Sequence, residues 1–177
     1  MRSSRRVCHL LLALAWTALG LAAPVWAQDL TEYRLKAAFL YNFAAFTEWP
    51  AEVGSTLNLC IYGADPFGAE AEPLVGKKVG ERSVSLLRKA QGDSLKGCQM
   101  VFIANAASGQ LPRVLEALRG QAVLTVADAP GAMQQGVMLN MALTQGRISF
   151  ESNLVAARGA RLSLSSKLLR LATEVLQ

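Results

Sequence analysis

The chain has 177 residues, 52% of them hydrophobic, with 18 Lys and Arg against 13 Asp and Glu for a formal net charge of +5. It carries a single histidine, His9, and three cysteines, Cys8, Cys60 and Cys98. Where these residues fall in the chain excludes more chemistry than their totals do.

Residues 2–6 read RSSRR, and the apolar run Val7–Ala23 follows, interrupted only by His9, Thr17 and Gly20. The run closes in APVWAQ, with Val25 and Ala27 at the small-residue positions before a cut. This pattern predicts a secretory signal peptide over residues 1–27, cleaved between Ala27 and Gln28. The apolar run is short for an uncleaved anchor. Cys8 lies early in it and not at its end, so it is no lipoprotein acceptor. Export removes Arg2, Arg5 and Arg6, which leaves 15 basic residues against 13 acidic ones and a net charge of about +2. The basic pI therefore belongs in part to targeting and does not argue for nucleic acid. Export also removes His9. A mature chain without histidine has no His-based acid/base pair, no Ser-His or Cys-His nucleophile and no His metal ligand.

Cys60 and Cys98 are left. In an oxidising periplasm two cysteines predict one disulfide, closing a loop of about 38 residues and stabilising by roughly 4 kcal/mol at most. Two buried free thiols are the alternative. Residues 28–177 are enough for one domain with a proper core. They hold no internal repeat, no low-complexity tract and no second apolar run of spanning length.

The first element is LKAAFLYNFAAFTEWP, Leu35 to Pro50. Asp29 or Thr31 is placed to cap a helix, Glu32 sits in its first turn, and Pro50 ends it after Trp49. Phe39, Phe43 and Phe46 share one face, and Tyr33, Ala37, Leu40 and Ala44 the neighbouring one. Lys36, Asn42 and Glu48 argue against a membrane span, so this is a core helix first, with an exposed edge second. LNLCIYG (57–63) predicts a buried strand. ADPFG is a turn, and GAEAEPLVGKKV holds a short helix broken by Pro73. RSVSLLRK (82–89) alternates and is a strand nearer an edge. CQMVFIAN (98–105) is a third strand, LPRVLEALRG a helix with Pro112 early and Gly120 as its stop, and QAVLTVAD (121–128) a fourth strand. VMLNMALTQGRISFESN is a hairpin turning at TQGR. LVAARGA is a short helical piece. SLSSKLLRLATEVLQ predicts a final helix with Leu164, Leu168, Leu171 and Val175 on one stripe. Strands and helices alternate up to residue 128, which predicts an α/β domain. Its sheet is mixed and mostly parallel, with a C-terminal antiparallel hairpin and helices on both faces.

Catalytic patterns are missing. Gly63 and Gly68 have P-loop spacing, but Ala69 and Glu70 follow in place of Lys and Ser or Thr. No G-x-G-x-x-G, G-x-S-x-G or S-x-x-K occurs. Asp65, Asp128 and Glu151 lie in or after apolar strands, where a carboxylate is more often a turn-former than a catalyst. No cofactor and no metal is expected.

YRLKAAFLYNFAAFTEWP resembles the opening helix of the YfiR family. LCIYGADPFG, GCQMVFIA, VLTVAD before a Gly-containing loop, GRISFESNL, AAR and LSSKLLRLA match the family in the same order. The resemblance implies a periplasmic repressor and not an enzyme. Such a protein binds the periplasmic sensor domain of an inner-membrane diguanylate cyclase and holds cyclic-di-GMP synthesis down, and an outer-membrane lipoprotein draws it away. A sensor kinase is another partner the resemblance allows, and it implies a homodimer. It also directs attention to Glu151, Leu154, Ala157, Arg158, Ser166 and Leu169 as the partner surface. There Leu154 and Leu169 would supply apolar contact, and Glu151 and Arg158 a polar rim. Docking of the last helix on the sheet would use the same residues. A periplasmic small-molecule binding protein with a C-terminal pocket is the other functional reading. The chain departs from the family in having no cysteine after Cys98, Ser152 where an apolar residue is usual, Arg161 where Gly is frequent, and Ser163 where a basic residue is frequent.

Overall fold

The computed structural model describes residues 26–177, with side chains from Glu32 onward. The predicted leader lies outside the described residues except for Trp26 and Ala27. Among the described residues no helix is long and apolar enough to cross a membrane.

Helix α1 spans Trp26–Ala45. Asp29 and Thr31 therefore lie inside it and do not cap it. Leu40 and Phe43 are fully buried and Ala37 and Ala44 nearly so. Phe43 stacks edge-on against Phe150, ring centres 5.0 Å apart, with Phe39 beside both. The helix stops four residues before Trp49, earlier than predicted. Phe46 N–H still bonds the Asn42 carbonyl, but the Thr47 hydroxyl then donates to the Phe43 carbonyl at 2.6 Å. The backbone turns extended as β1, Thr47–Glu48. Trp49, held extended by the following proline, buries its ring and donates Nε1–H to the Gln99 carbonyl.

Strand β2, Thr56–Tyr62, lies inside the parallel part of the sheet, with a parallel neighbour on each side. Leu57, Leu59 and Ile61 face α1, while Cys60 and Tyr62 face the other way. Both sides are buried, which is why the strand reads as a continuous apolar run. At its end Gly63 has φ +97°, and a Cβ there would sit 2.8 Å from the Ala107 Cβ, so no other residue fits without a shift. Residues Gly68–Leu74 form a 3-10 helix containing Pro73. Strands β3, Lys78–Val79, and β4, Arg82–Lys89, follow, then β5, Met100–Ile103. A 3-10 segment, Asn105–Gln110, leads into α2, Leu111–Ala117, and then β6, Leu124–Ala127. Strands β7, Leu139–Thr144, and β8, Arg147–Asn153, make the predicted hairpin. Gln145 and Gly146 both have positive φ, 52° and 74°, as a tight two-residue turn requires. Helix α3, Leu154–Gly159, strand β9, Ser163–Leu164, helix α4, Ser166–Leu169, and strand β10, Glu174–Leu176, complete the chain.

The eight-stranded sheet has the order β10-β8-β7-β6-β5-β2-β4-β3. Strands β4, β2, β5, β6 and β7 are parallel; β8 opposes β7, β10 runs parallel to β8, and β3 opposes β4. Only two-residue β3 lies outside β4, in keeping with its near-edge pattern. One core fills the space between α1 and the sheet, and a second lies under α2 on the opposite face. This is the expected α/β class, with a mixed, mostly parallel sheet and helices on both faces.

The predicted final helix does not form as one element. Ser165 caps α4, its hydroxyl accepting from Leu168 N–H at 3.2 Å, and the helix ends at Leu169. Leu171, expected on the buried stripe, is 69% exposed. Thr173 then bonds the Phe150 carbonyl through both its N–H and its hydroxyl. From there β10 pairs with Glu151–Asn153. A longer helix would leave that edge of β8 without backbone partners, and the strand supplies them.

Cys60 and Cys98 form the expected disulfide, with Cα atoms 5.9 Å apart. Cys98 does not begin β5 as predicted. It sits two residues ahead of that strand, in a turn where its N–H bonds the Leu95 carbonyl.

Candidate partner surface

The segment after β8 is built on Asn153. Its N–H bonds the Met138 carbonyl, its Nδ2 donates to the Met133 carbonyl, and its Oδ1 accepts from Ala156 N–H at 2.8 Å. One buried side chain thus ends the strand, caps α3 and fixes the loop before β7. Arg161 terminates α3 in the left-handed region, φ 60°, where Leu162 N–H bonds the Ala157 carbonyl. Strand β9 returns to pair with β1, Thr47 opposite Leu164, and Ser165 N–H bonds the Phe46 carbonyl. The end of α1 and the C-terminal segment are therefore one unit.

Leu154, Arg158 and Leu169 line one shallow concavity of about 170 Å³ together with Leu162, Ser163 and Leu164. The last three were not anticipated as site residues, although Ser163 was noted as a departure. A leucine on each side of a serine, just after a helix stop, is the only sequence signal for them. Leu154 is buried and forms the floor; Arg158 and Ser166 are exposed, and Leu169 is half-buried. Ala157 is fully buried and presents no atom to a partner. Glu151 is not brought into the concavity. Strand alternation sends it to the face opposite Phe150, where it accepts from Asn140 Nδ2 at 3.3 Å and lies beside Glu174.

The carboxylates at strand ends are occupied by structural bonds. Asp65 Oδ1 accepts from the N–H groups of Phe67 and Gly68, and its Oδ2 accepts from Arg88 Nε at 2.7 Å. Asp128 Oδ1 accepts from Asn105 N–H, and its Oδ2 accepts from Tyr33 and Lys36. Lys36 also reaches Glu32 at 2.5 Å. Burial pulls the Lys36 ammonium down, and the Asp128 and Glu32 carboxylates more than offset it, so it titrates above the usual lysine range. Burial, then the Asp128 charge, pushes Tyr33 up to about 12. This cluster was missed in the sequence, where Lys36 read only as an argument against a membrane span. Its signal was a lysine on an apolar helix face one turn after a glutamate.

Two closed cores on the faces of one mixed sheet define a single α/β domain with a small concavity walled by short elements. A family model described as YfiR/HmsC-like matches residues 33–173, and the chain belongs to that family. Its members are periplasmic regulators in cyclic-di-GMP signalling, not enzymes. Comparison with curated proteins finds no match.

Proposed function

We propose that this protein is exported through a cleaved leader and represses an inner-membrane diguanylate cyclase by docking on its periplasmic sensor domain through the α3–α4 surface. The observation that supports this reading is the convergence of Leu154, Arg158 and Leu169 on one concavity, with Ser166 exposed on the helix beside it. An apolar floor with a charged rim suits a protein contact. Ala157 supports that floor from beneath. Glu151 lies on the other face of β8, so a partner that also meets it must reach around β10. The protein acts as a homodimer, and an outer-membrane lipoprotein competes for it; releasing the cyclase favours biofilm growth.

The alternative, a small-molecule binding protein using this C-terminal concavity, is disfavoured by size. About 170 Å³ is below the roughly 300–1,000 Å³ typical of ligand pockets. Co-purification from detergent-solubilised membranes tests the docking. Arg158→Glu and Leu169→Asp, each with an unchanged melting transition, are expected to lose the cyclase. Retention of the cyclase by both variants at the unsubstituted level would move the site elsewhere. Glu151→Lys then reports whether the surface reaches around the sheet edge. Ala157→Trp is unsuitable as a surface probe, because the alanine lies in the core.

A further inference from the structure

On the sheet face opposite α1, a cavity of about 440 Å³ opens between the 92–96 loop and α2. Its volume falls in the range of small-molecule sites. The floor is buried and largely apolar: Tyr62, Leu95, Val114 and Leu118 are each under a tenth exposed. Two cations, Lys96 and Arg113, stand at the rim. Neither is in an ion pair among the described residues, so both charges are open to an anion. The Tyr62 hydroxyl accepts from Gly92 N–H at 3.0 Å, which leaves its own proton to donate. Asp93, the one acid in the lining, turns back to accept from Ala90 N–H at 2.8 Å and holds the loop's shape. The lining carries a net positive charge over an apolar floor.

We infer that this cavity binds a small organic anion, a carboxylate or phosphate monoester on an apolar or aromatic body. The body lies on Leu95, Val114 and Leu118, and the anionic group meets Arg113 and Lys96. Arg113 offers a planar fork of donors suited to either oxyanion, and Lys96 a second point charge. The site is independent of the α3–α4 surface. Leu154, Leu162 and Leu164 pack into the core under α1, while Tyr62, Leu95 and Leu118 pack into the core under α2. The two sites lie on opposite faces of one sheet, so a ligand here does not compete directly with a partner there.

Phenyl phosphate, benzoate, inorganic phosphate and benzyl alcohol are titrated into the 15N-labelled protein. Phenyl phosphate or benzoate is expected to give saturable shifts at Gly92–Lys96 and Gln121, with none at Leu154–Leu169. Inorganic phosphate and benzyl alcohol, each half of the ligand, are expected to bind at least tenfold more weakly. Arg113→Gln and Lys96→Gln, whose exposed side chains carry no core packing, are each expected to weaken binding about tenfold with the spectrum otherwise unchanged. Three results would each overturn the inference: no saturable shift in the loop with either organic anion, undiminished binding in the double variant, or equal binding of benzyl alcohol. Equally tight inorganic phosphate would also overturn it, because the apolar floor would then contribute nothing.

Discussion

Lys36 and Asp128 are 92 residues apart in the chain, and their side chains meet at 2.6 Å. Both are almost fully buried. Asp128 closes β6 and Lys36 lies on α1, so one contact fixes the long helix to the end of the central sheet. Breaking a buried pair from one side costs about 3–5 kcal/mol, and the Glu32 carboxylate that Lys36 retains places the loss here at the lower end. Asp128→Ala is expected to lose that amount in urea denaturation. The double variant Lys36→Met, Asp128→Leu is expected to recover most of it, since neither member of the pair is then buried alone and Glu32, which also loses Lys36, is partly open to water. A double variant no more stable than Asp128→Ala would show that the contact is not the source of the loss.

The same cluster makes stability depend on alkaline pH. Tyr33 is raised to about 12 in the folded state, against about 10 in the unfolded chain. The unfolded state therefore gives up this proton first as pH rises, and the contribution, full below pH 10, is lost between 10 and 12. Lys36, also raised, acts in the same direction. The melting temperature is expected to fall from pH 9 to 11.5, and less steeply in Tyr33→Phe. Parallel pH profiles for the two proteins would remove Tyr33 from the linkage.

Ser152 is fully buried, and its hydroxyl has no hydrogen-bond partner. Strand alternation points it with Phe150 into the core beneath α1, where an apolar side chain fits better. Ser152→Ala is expected to stabilise by about 0.5–2 kcal/mol, because an unsatisfied hydroxyl no longer has to be desolvated. A loss of stability in chemical denaturation would reveal a bond to that hydroxyl.

Arg161 holds a left-handed backbone, φ 60°, which strains any residue with a Cβ. Its side chain reaches Glu52 at 2.5 Å, but both groups are more than half exposed and the pair is worth little in water. Arg161→Gly is expected to raise stability by about 0.5–1 kcal/mol. Arg161→Ala keeps the strain and loses the pair, so it should be neutral or slightly worse. If the alanine variant is the more stable of the two, backbone strain is not the governing factor.

Much of this architecture was legible because its strands are short apolar runs separated by turn-formers. Leu57–Tyr62 and the TQGR hairpin needed no tertiary information. The disulfide followed from having two cysteines in an oxidising compartment. Three features were decided by contacts no local pattern encodes. Helix α1 stops at Ala45 because Thr47 and Glu48 pair with a strand more than 100 residues away. The C-terminal residues keep helical spacing of leucines, yet the open edge of β8 draws Glu174–Leu176 into the sheet. Ala157 was expected on the partner surface, but small residues also serve where two packed elements meet, and it is buried. For Lys36 the apolar helix face and the glutamate one turn earlier signal a buried ion pair, but nothing local points to Asp128, 92 residues away.

The burial of the disulfide sets how it can be broken. Cys60 is wholly inaccessible and Cys98 nearly so, and thiol exchange needs a thiolate to reach one of the sulfurs. A reductant must therefore wait for the core under α2, in which both cysteines are packed, to open and uncover a sulfur. Once reductant is plentiful, the rate of cleavage levels off at the rate of that opening. The bond then acts as a clock set by the protein's own fluctuations, and substitutions that loosen the core shorten its period without touching either cysteine.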